Sequence, residues 1–380
     1  MKKIVFLTGT RADYGKIKSL MRKVEQSNNF ELHIFVTGMH MLKKYGSTYI
    51  EIEKDGFSNI YKYINQKSSE THNMDVTLSS TILGFSNYCE EISPDMIVIH
   101  GDRLEALAGA IVGAFNNIRV VHIEGGEVSG TIDESIRHAI TKLAHFHFVS
   151  NEEAKKRILQ LGEKEKSIYL IGSPDIDIMY SENLPTLLDV KEKYDIDFDN
   201  YSILMYHPVT TEINNLEHNI REVVDAVIES NKNYIVIYPN NDLGSDIILK
   251  EYAKLNNNNK FLIYPSMKFE YFLTLLKNCD FIIGNSSSGV REACAYGKIA
   301  IDIGNRQRGR YNKDSIENIF YSKEDKKDII SIIESIENVN IKPISHFGFG
   351  DSDTKFLDVI SKDYIWEENI QKRFNDIKYI

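Results

Sequence analysis

Short apolar runs recur along this chain at regular intervals, each followed by a longer amphipathic stretch, and this alternation restricts the folds open to it. In the first half the runs are IVFLTG (4–9), LHIFVTG (32–38), MIVIHGD (96–102), VVHIEGGE (120–127) and FHFVS (146–150). After Pro174 the pattern restarts with SILMYHP (202–208), YIVIYPN (234–240), FLIYP (261–265), DFIIGNS (280–286) and IAIDIG (299–304). These runs are apolar at consecutive positions, as strands are when helices cover both faces of a parallel sheet. The stretches between them read as helices: 16–26, 76–92 closed by Pro94, LEALAGAIVGAFN (104–116), and ESIRHAITKLAH (134–145) opened by Asp133. The sequence therefore predicts an α/β chain of two Rossmann-like, doubly wound domains facing a cleft. The first spans residues 1–173 and the second 174–352. A helix-like tail from 353, carrying Trp366 and Phe374, is expected to pack back on the first domain. A length of 380 residues also suits two cores better than one.

Charge and cysteines exclude several classes. Lys and Arg number 45 against 55 Asp and Glu, a formal charge of −10. An acidic chain is a poor general nucleic-acid binder, because attraction to phosphate dominates that binding. A few local arginines still suffice for a small anionic ligand. Cys89, Cys279 and Cys294 are an odd, widely spaced set, so no disulfide framework is implied and a reducing cytoplasm fits. The N-terminal apolar stretch, residues 4–7, is too short for a signal peptide and reads as a buried strand. No run reaches the roughly 18 apolar residues of a membrane span.

Chemistry-bearing residues gather where strands end. GTRADYGK (9–16) places Arg11 and Lys16 beside a glycine turn and a helix start, which suits an anion; solvated turn charges are the plain alternative. HGDR (100–103) puts Asp102 at a strand end, either for proton transfer or as the cap of the next helix. HIEGGEVSGTIDESIRH (122–138) carries Glu124 and Asp133, with Arg137 one turn further on. Three carboxylates on neighbouring elements repel, which separates an acid from a base. No Cys or His spacing around them matches zinc. An octahedral magnesium site from carboxylates ranks below proton transfer. In the second half, YHPVTTE (206–212) presents His207 at a strand end. GNSSSGVREACAYG (284–297) runs from a strand through a serine-rich turn into a helix, a cradle for a diphosphate, with Glu292 in the helix's first turn. GNRQRGR (304–310) adds Arg306.

Taken in order, GTRADYGK, TGMH (37–40), HGDR, HIEGGEVSGTIDESIRHAITKLAH, HPVTTE, YPNNDLGS (238–245), GNSSSGVRE and GNRQ resemble the hydrolysing UDP-N-acetylglucosamine 2-epimerases. These include the bacterial enzymes of sialic-acid biosynthesis and the epimerase half of the bifunctional human enzyme. The resemblance covers nearly the whole chain. The HIEGGE…GTIDES and HPVTTE forms match the hydrolysing branch, and GTRAD stands where the non-hydrolysing branch has GTRPE. It implies a GT-B-like pair of Rossmann domains with UDP bound mainly by the second, and conversion of UDP-GlcNAc to ManNAc and UDP. It implies Asp102, Glu124 and Asp133 as catalytic acids and His207 as a catalytic or phosphate-contacting residue. It further implies Arg11, Arg103, Asn240, Ser286, Ser287, Glu292 and Arg306 as nucleotide-sugar contacts, and Met267 as a position whose backbone meets the base. Lys16 and Arg137 join the substrate-binding set from the motif reading. The partner implied is the nucleotide sugar, in a homodimer, with no metal and no cofactor. Three alternatives remain: a GDP-N,N′-diacetylbacillosamine 2-epimerase, a GT-B glycosyltransferase, and an inactive nucleotide-sugar sensor.

Overall fold

In the computed structural model, which describes residues 1–376 except 44–45, 67–73, 129–131, 240–243, 310, 312–315 and 338, the apolar runs become strands of two separate sheets. The first holds β1 (Lys2–Thr8), β2 (Phe30–Val36), β3 (Ile60–Lys62), β4 (Met96–His100), β5 (Arg119–Ile123), β6 (Phe146–Val149) and β7 (Ile168–Leu170). The second holds β8 (Ser202–Met205), β9 (Tyr234–Ile237), β10 (Phe261–Tyr264), β11 (Phe281–Gly284), β12 (Ile299–Ile303) and β13 (Ile319–Ser322). Their orders are β3-β2-β1-β4-β5-β6-β7 and β10-β9-β8-β11-β12-β13, and the ladders are parallel. Counted from its own first strand, each sheet begins 3-2-1-4-5-6, the order of a doubly wound fold. Such a sheet reverses its winding between strands 1 and 4, so the loops there diverge and leave room for a ligand. The two reversal points are β1/β4 and β8/β11.

The helices are α1 (Arg11–Glu25), α2 (Tyr49–Lys54), α3 (Met74–Ile92), α4 (Leu104–Phe115), α5 (Ile132–Leu143), α6 (Glu152–Gln160), α7 (Pro174–Met179), α8 (Leu187–Tyr194), α9 (Leu216–Glu229), α10 (Ser245–Tyr252), α11 (Phe269–Asn278), α12 (Ser287–Val290), α13 (Glu292–Tyr296), α14 (Lys326–Ser335), α15 (Ser352–Ile360) and α16 (Asp363–Glu367). The chain divides into two units, Met1–Tyr180 with Gly348–Ile380, and Ser181–Phe347. The first unit is therefore made of two separate stretches of sequence.

Within it, α1 starts five residues before the helix predicted at 16. Thr10 caps it, its hydroxyl accepting from the Asp13 amide at 3.1 Å. The T-x-x-D spacing is a start signal of the capping-box kind. Tyr14, Ile17, Leu20, Met21 and Val24 make its buried face, at the three- and four-residue spacing of an amphipathic helix. That face joins β1, β2 and the tail helices in one core, with Phe356, Ile360 and Ile365 fully buried. Burial of each such side chain stabilises by about 2 kcal/mol. Polar contacts fix the tail as well. Asp177 accepts from the Ser352 and Asp353 amides at the start of α15 at 2.9 and 3.0 Å. Arg119 donates to the carbonyls of Ile365, Trp366 and Glu368.

The second unit has its own core, formed by Val223, Val227, Ile248, Leu255 and Ile333 against β8, β9, β11 and β12. Three strands went unpredicted: β3, β7 and β13. They are three or four residues long, lie at sheet edges and are only partly buried; their apolar runs, IYLI (168–171) and IFY (319–321) among them, are brief and were passed over.

Candidate active site

At the reversal point of the first unit, β1 runs into α1 and the neighbouring β4 ends at His100. His100 Nδ1 lies 2.9 Å from Asp13 Oδ1, and its Nε2 lies 3.2 Å from Glu124 Oε2. Lys16, one turn along α1 from Asp13, reaches the same Glu124 oxygen at 3.3 Å and Asp175 Oδ2 at 3.4 Å. The Ser173 hydroxyl donates to Glu124 Oε1. Glu124 is thus a buried carboxylate, 5% exposed, set between two cations. It follows β5 directly and its backbone lies at φ +60°, a conformation uncommon for residues other than glycine. Its amide donates to the Phe148 carbonyl at 2.9 Å, so the left-handed turn is braced by the next strand.

Histidine charge states in this cluster diverge. Burial opposes charge on His100, but the two carboxylates outweigh it and push its pKa up to about 9. Asp13 shows the counterpart: burial raises it, yet the contact with His100 holds it below the usual carboxylate value. His122, on β5, meets no such pair. Burial drives it down to about 3, leaving a neutral ring that donates from Nε2 to the Gly101 carbonyl at 2.8 Å. That bond fixes the turn carrying Asp102.

Asp102 does not cap α4. Arg103 holds the cap position, without a side-chain bond to the helix. Asp102 instead accepts from the Arg137 guanidinium, whose other terminal nitrogen donates to the Glu127 carbonyl at 2.9 Å. Asp133 lies in the first turn of α5, one turn before Arg137. Arg103 contacts Glu105 at 3.3 Å, and Arg11 pairs with Glu51 at 3.0 Å with both side chains half exposed. Asp102, Glu124, Asp133, Lys16 and Arg137 thus stand on elements around the carboxyl ends of β4 and β5. His100, Asp13, Ser173 and Asp175 join them and were not singled out from sequence.

The reversal point of the second unit is tied by Asn285. Its side chain accepts from the His207 amide at 2.7 Å and donates to the His207 carbonyl at 2.8 Å, locking the ends of β8 and β11 together. Gly284, at φ +136°, leaves room only for hydrogen, since a Cβ would lie 2.1 Å from the Met205 carbonyl oxygen. Arg306 and Gln307 donate to the Asn285 carbonyl at 3.0 and 2.8 Å, so the GNRQ loop is fastened to the same turn. Ser286 caps α12, accepting from the Ser288 amide at 3.3 Å, and Ser287 is exposed beside it. The sequence led us to expect one helix here. Two short ones form, and Glu292, 7% exposed, opens the second after a break at Arg291. Met267 is half-buried between β10 and α11. Asn240 lies outside the described residues. Among the described residues, no group of three or more His, Cys, Asp and Glu is arranged to hold a metal ion, and no helix is long and apolar enough to cross a membrane.

Two units wound in the same order, one with paired acids and the other with a serine-rich turn at the reversal point, define a GT-B-like α/β protein. The chain of S. aureus MnaA solved with UDP has the same fold, with a TM-score of 0.78 at 19% identity over 99% of this chain and 100% of that one. The profile of the family described as UDP-N-acetylglucosamine 2-epimerase matches residues 22–361, and the chain belongs to that family of enzymes. It is 47% identical to the UDP-N-acetylglucosamine 2-epimerase of Neisseria meningitidis serogroup B, over 99% of this chain and 100% of that one. It is 36% identical to the UDP-N,N′-diacetylbacillosamine 2-epimerase (hydrolyzing) of Legionella pneumophila, over 83% of this chain and 84% of the relative.

Proposed function

We propose that the protein is a hydrolysing 2-epimerase that converts UDP-GlcNAc and water to ManNAc and UDP, as a step of sialic-acid biosynthesis. The observation that carries the chemistry is Glu124, a buried carboxylate flanked by Lys16 and His100 at the reversal point of the first unit. The full-length likeness to the Neisseria protein supports UDP-GlcNAc as the substrate.

In this reading the sugar C2–H bond breaks and its proton passes to a carboxylate. Its electron pair forms the C1–C2 double bond while UDP departs with the C1–O pair. Water then adds at C1, and a proton reaches C2 from the opposite face. Two faces require more than one acid. Asp102 and Glu124 are assigned to the elimination and Asp133 to the hydration. The C2 proton is weakly acidic, so departure of UDP must help, and charge growing on it needs donors. Arg11, Arg103, Arg137, His207, Ser286, Ser287 and Arg306 are assigned to that task or to holding the substrate. Glu292 and Asn240 are assigned to the nucleoside, and the Met267 backbone to the base. No metal or other cofactor enters the scheme. A homodimer in the cytoplasm completes it, and light scattering giving the mass of one chain would remove the dimer.

The likeness to the Legionella protein favours a second reading, with a diacetylbacillosamine nucleotide as substrate. One experiment separates the two: UDP-GlcNAc and the UDP and GDP forms of diacetylbacillosamine, each incubated in D₂O without acceptor. UDP together with free ManNAc carrying deuterium at C2 is the expected result. Turnover of only the bacillosamine nucleotides transfers the same chemistry to the other sugar. Turnover of none removes the enzymatic reading.

A further inference from the structure

His100, buried beside Glu124, has no part in the scheme above. We propose that His100 is a positioning residue: held between Asp13 and Glu124, it fixes the Glu124 carboxylate and keeps it ionised for proton transfer at the sugar. The inference rests on the reading of Glu124 as an elimination base.

The geometry carries it. Each ring nitrogen of His100 faces a carboxylate oxygen, at 2.9 Å on Asp13 and 3.2 Å on Glu124. A neutral imidazole has one N–H, so it satisfies one carboxylate and turns a lone pair toward the other. The imidazolium turns an N–H toward each: it bonds Asp13 through Nδ1 and holds Glu124 as an ion pair through Nε2. Asp13 is in turn fixed from its own side: its Oδ2 accepts from the Gly9 amide at 3.1 Å, at the turn between β1 and α1. The row Gly9, Asp13, His100, Glu124 thus links the two strands at the reversal point to the end of β5. The left-handed backbone of Glu124 fits a side chain whose direction is imposed.

Charge explains why the link matters. The groups that face this cluster are Asp13 and Lys16 on α1, Glu124 after β5, Asp175 on α7, and the neutral rings of His40 and His122. With His100 charged, these groups place two cations against three carboxylates. Without it, one ammonium faces all three, and Glu124 takes up a proton at higher pH. A base that protonates more readily is lost from the acid side of the pH profile. Such a loss differs from a general loss of shape, which lowers the rate at every pH.

Two measurements test this on the full chain. In protein labelled with ¹⁵N-histidine, the ring absent from the His100→Asn spectrum is expected to be doubly protonated at pH 7.5, and in Asp13→Asn to lose its proton at least one pH unit lower than in wild type. A neutral ring at pH 7.5 overturns the proposal. In kinetics, His100→Asn is expected to lose at least tenfold more kcat at pH 6 than at pH 8.5, relative to wild type. KM should stay within about threefold and UDP affinity should not change. An equal deficit at both pH values overturns the inference while leaving the enzymatic reading intact. Wild-type protein that turns over no nucleotide sugar overturns both.

Discussion

Glu124 shows how much one residue is asked to do. Its backbone occupies a region that costs roughly 1–3 kcal/mol for a side chain of this kind, and its oxygens meet Ser173, Lys16 and His100. If the proposed roles hold, Glu124→Gln, Asp102→Asn and Asp133→Asn each lower kcat by at least 100-fold, in line with the usual contribution of acid–base groups. UDP affinity, assigned to the second unit, should stay near wild type; titration calorimetry beside a UDP-release assay checks both. His100 also links stability to pH. Its pKa in the folded chain is raised, so its contribution is complete below the ordinary histidine value near 6.5 and fades as pH rises through about 9. Thermal melts should show the first unit weakening over that range in wild type and less so in His100→Asn. Sequence brought Asp102 and Glu124 into view because each stands beside a strand end, and Asp133 because it opens the helix that follows. It did not bring Asp13 and His100 together. GTRAD and HGDR are about 90 residues apart, and their side chains meet only because β4 pairs with β1. That pairing is a property of strand order, which no local pattern encodes.

At the scale of elements, buried strands were the legible part. Continuous apolar runs mark β1, β2, β4, β5 and β6, and β8 through β12; all of these but the edge strand β10 lie inside their sheets, where a strand covered on both faces has no position to give to water. The edge strands β3, β7 and β13 are short, and their brief apolar runs, such as IYLI (168–171) and IFY (319–321), passed unread. Helix starts were harder. α1 opens at a Thr–Asp cap that the more conspicuous charges of GTRADYGK obscured. The serine-rich turn gives two short helices instead of one. The tail helix α15 makes a clear test of packing. Phe356 is fully buried against Phe6 and Phe148, with ring centroids 6.1 and 5.1 Å away. Phe356→Ala should cost about 3–5 kcal/mol, seen as a lower urea midpoint for the first unit. A loss below 1 kcal/mol would mean that the tail is dispensable to that core.

At the scale of the whole molecule, the same winding order occurs twice and serves different ends: carboxylates with their cations in one unit, and amides, serines and an arginine loop in the other. The second unit owns its sheet and its core within Ser181–Phe347. Expressed alone, this stretch should fold and bind UDP within about tenfold of the full chain. An unfolded fragment, judged by its amide NMR spectrum, would show that its core depends on residues outside it. The doubled alternation of runs announced two such units from sequence. The tail from 353 was expected to pack on the first domain, but the alternation does not say against which elements; α15 and α16 enter the core around β1 and α1.

That last contact sets an order of events during synthesis. When residue 180 has left the ribosome, the first sheet has its strands but lacks Phe356, Ile360 and Ile365, which fill one side of its core. About 200 further residues must be translated first, some 10–40 s at ordinary elongation rates. The later-made unit can close on itself in that interval, while the earlier one waits with an apolar surface uncovered. The nascent chain is then most exposed to aggregation and to chaperone capture after its own middle has already folded.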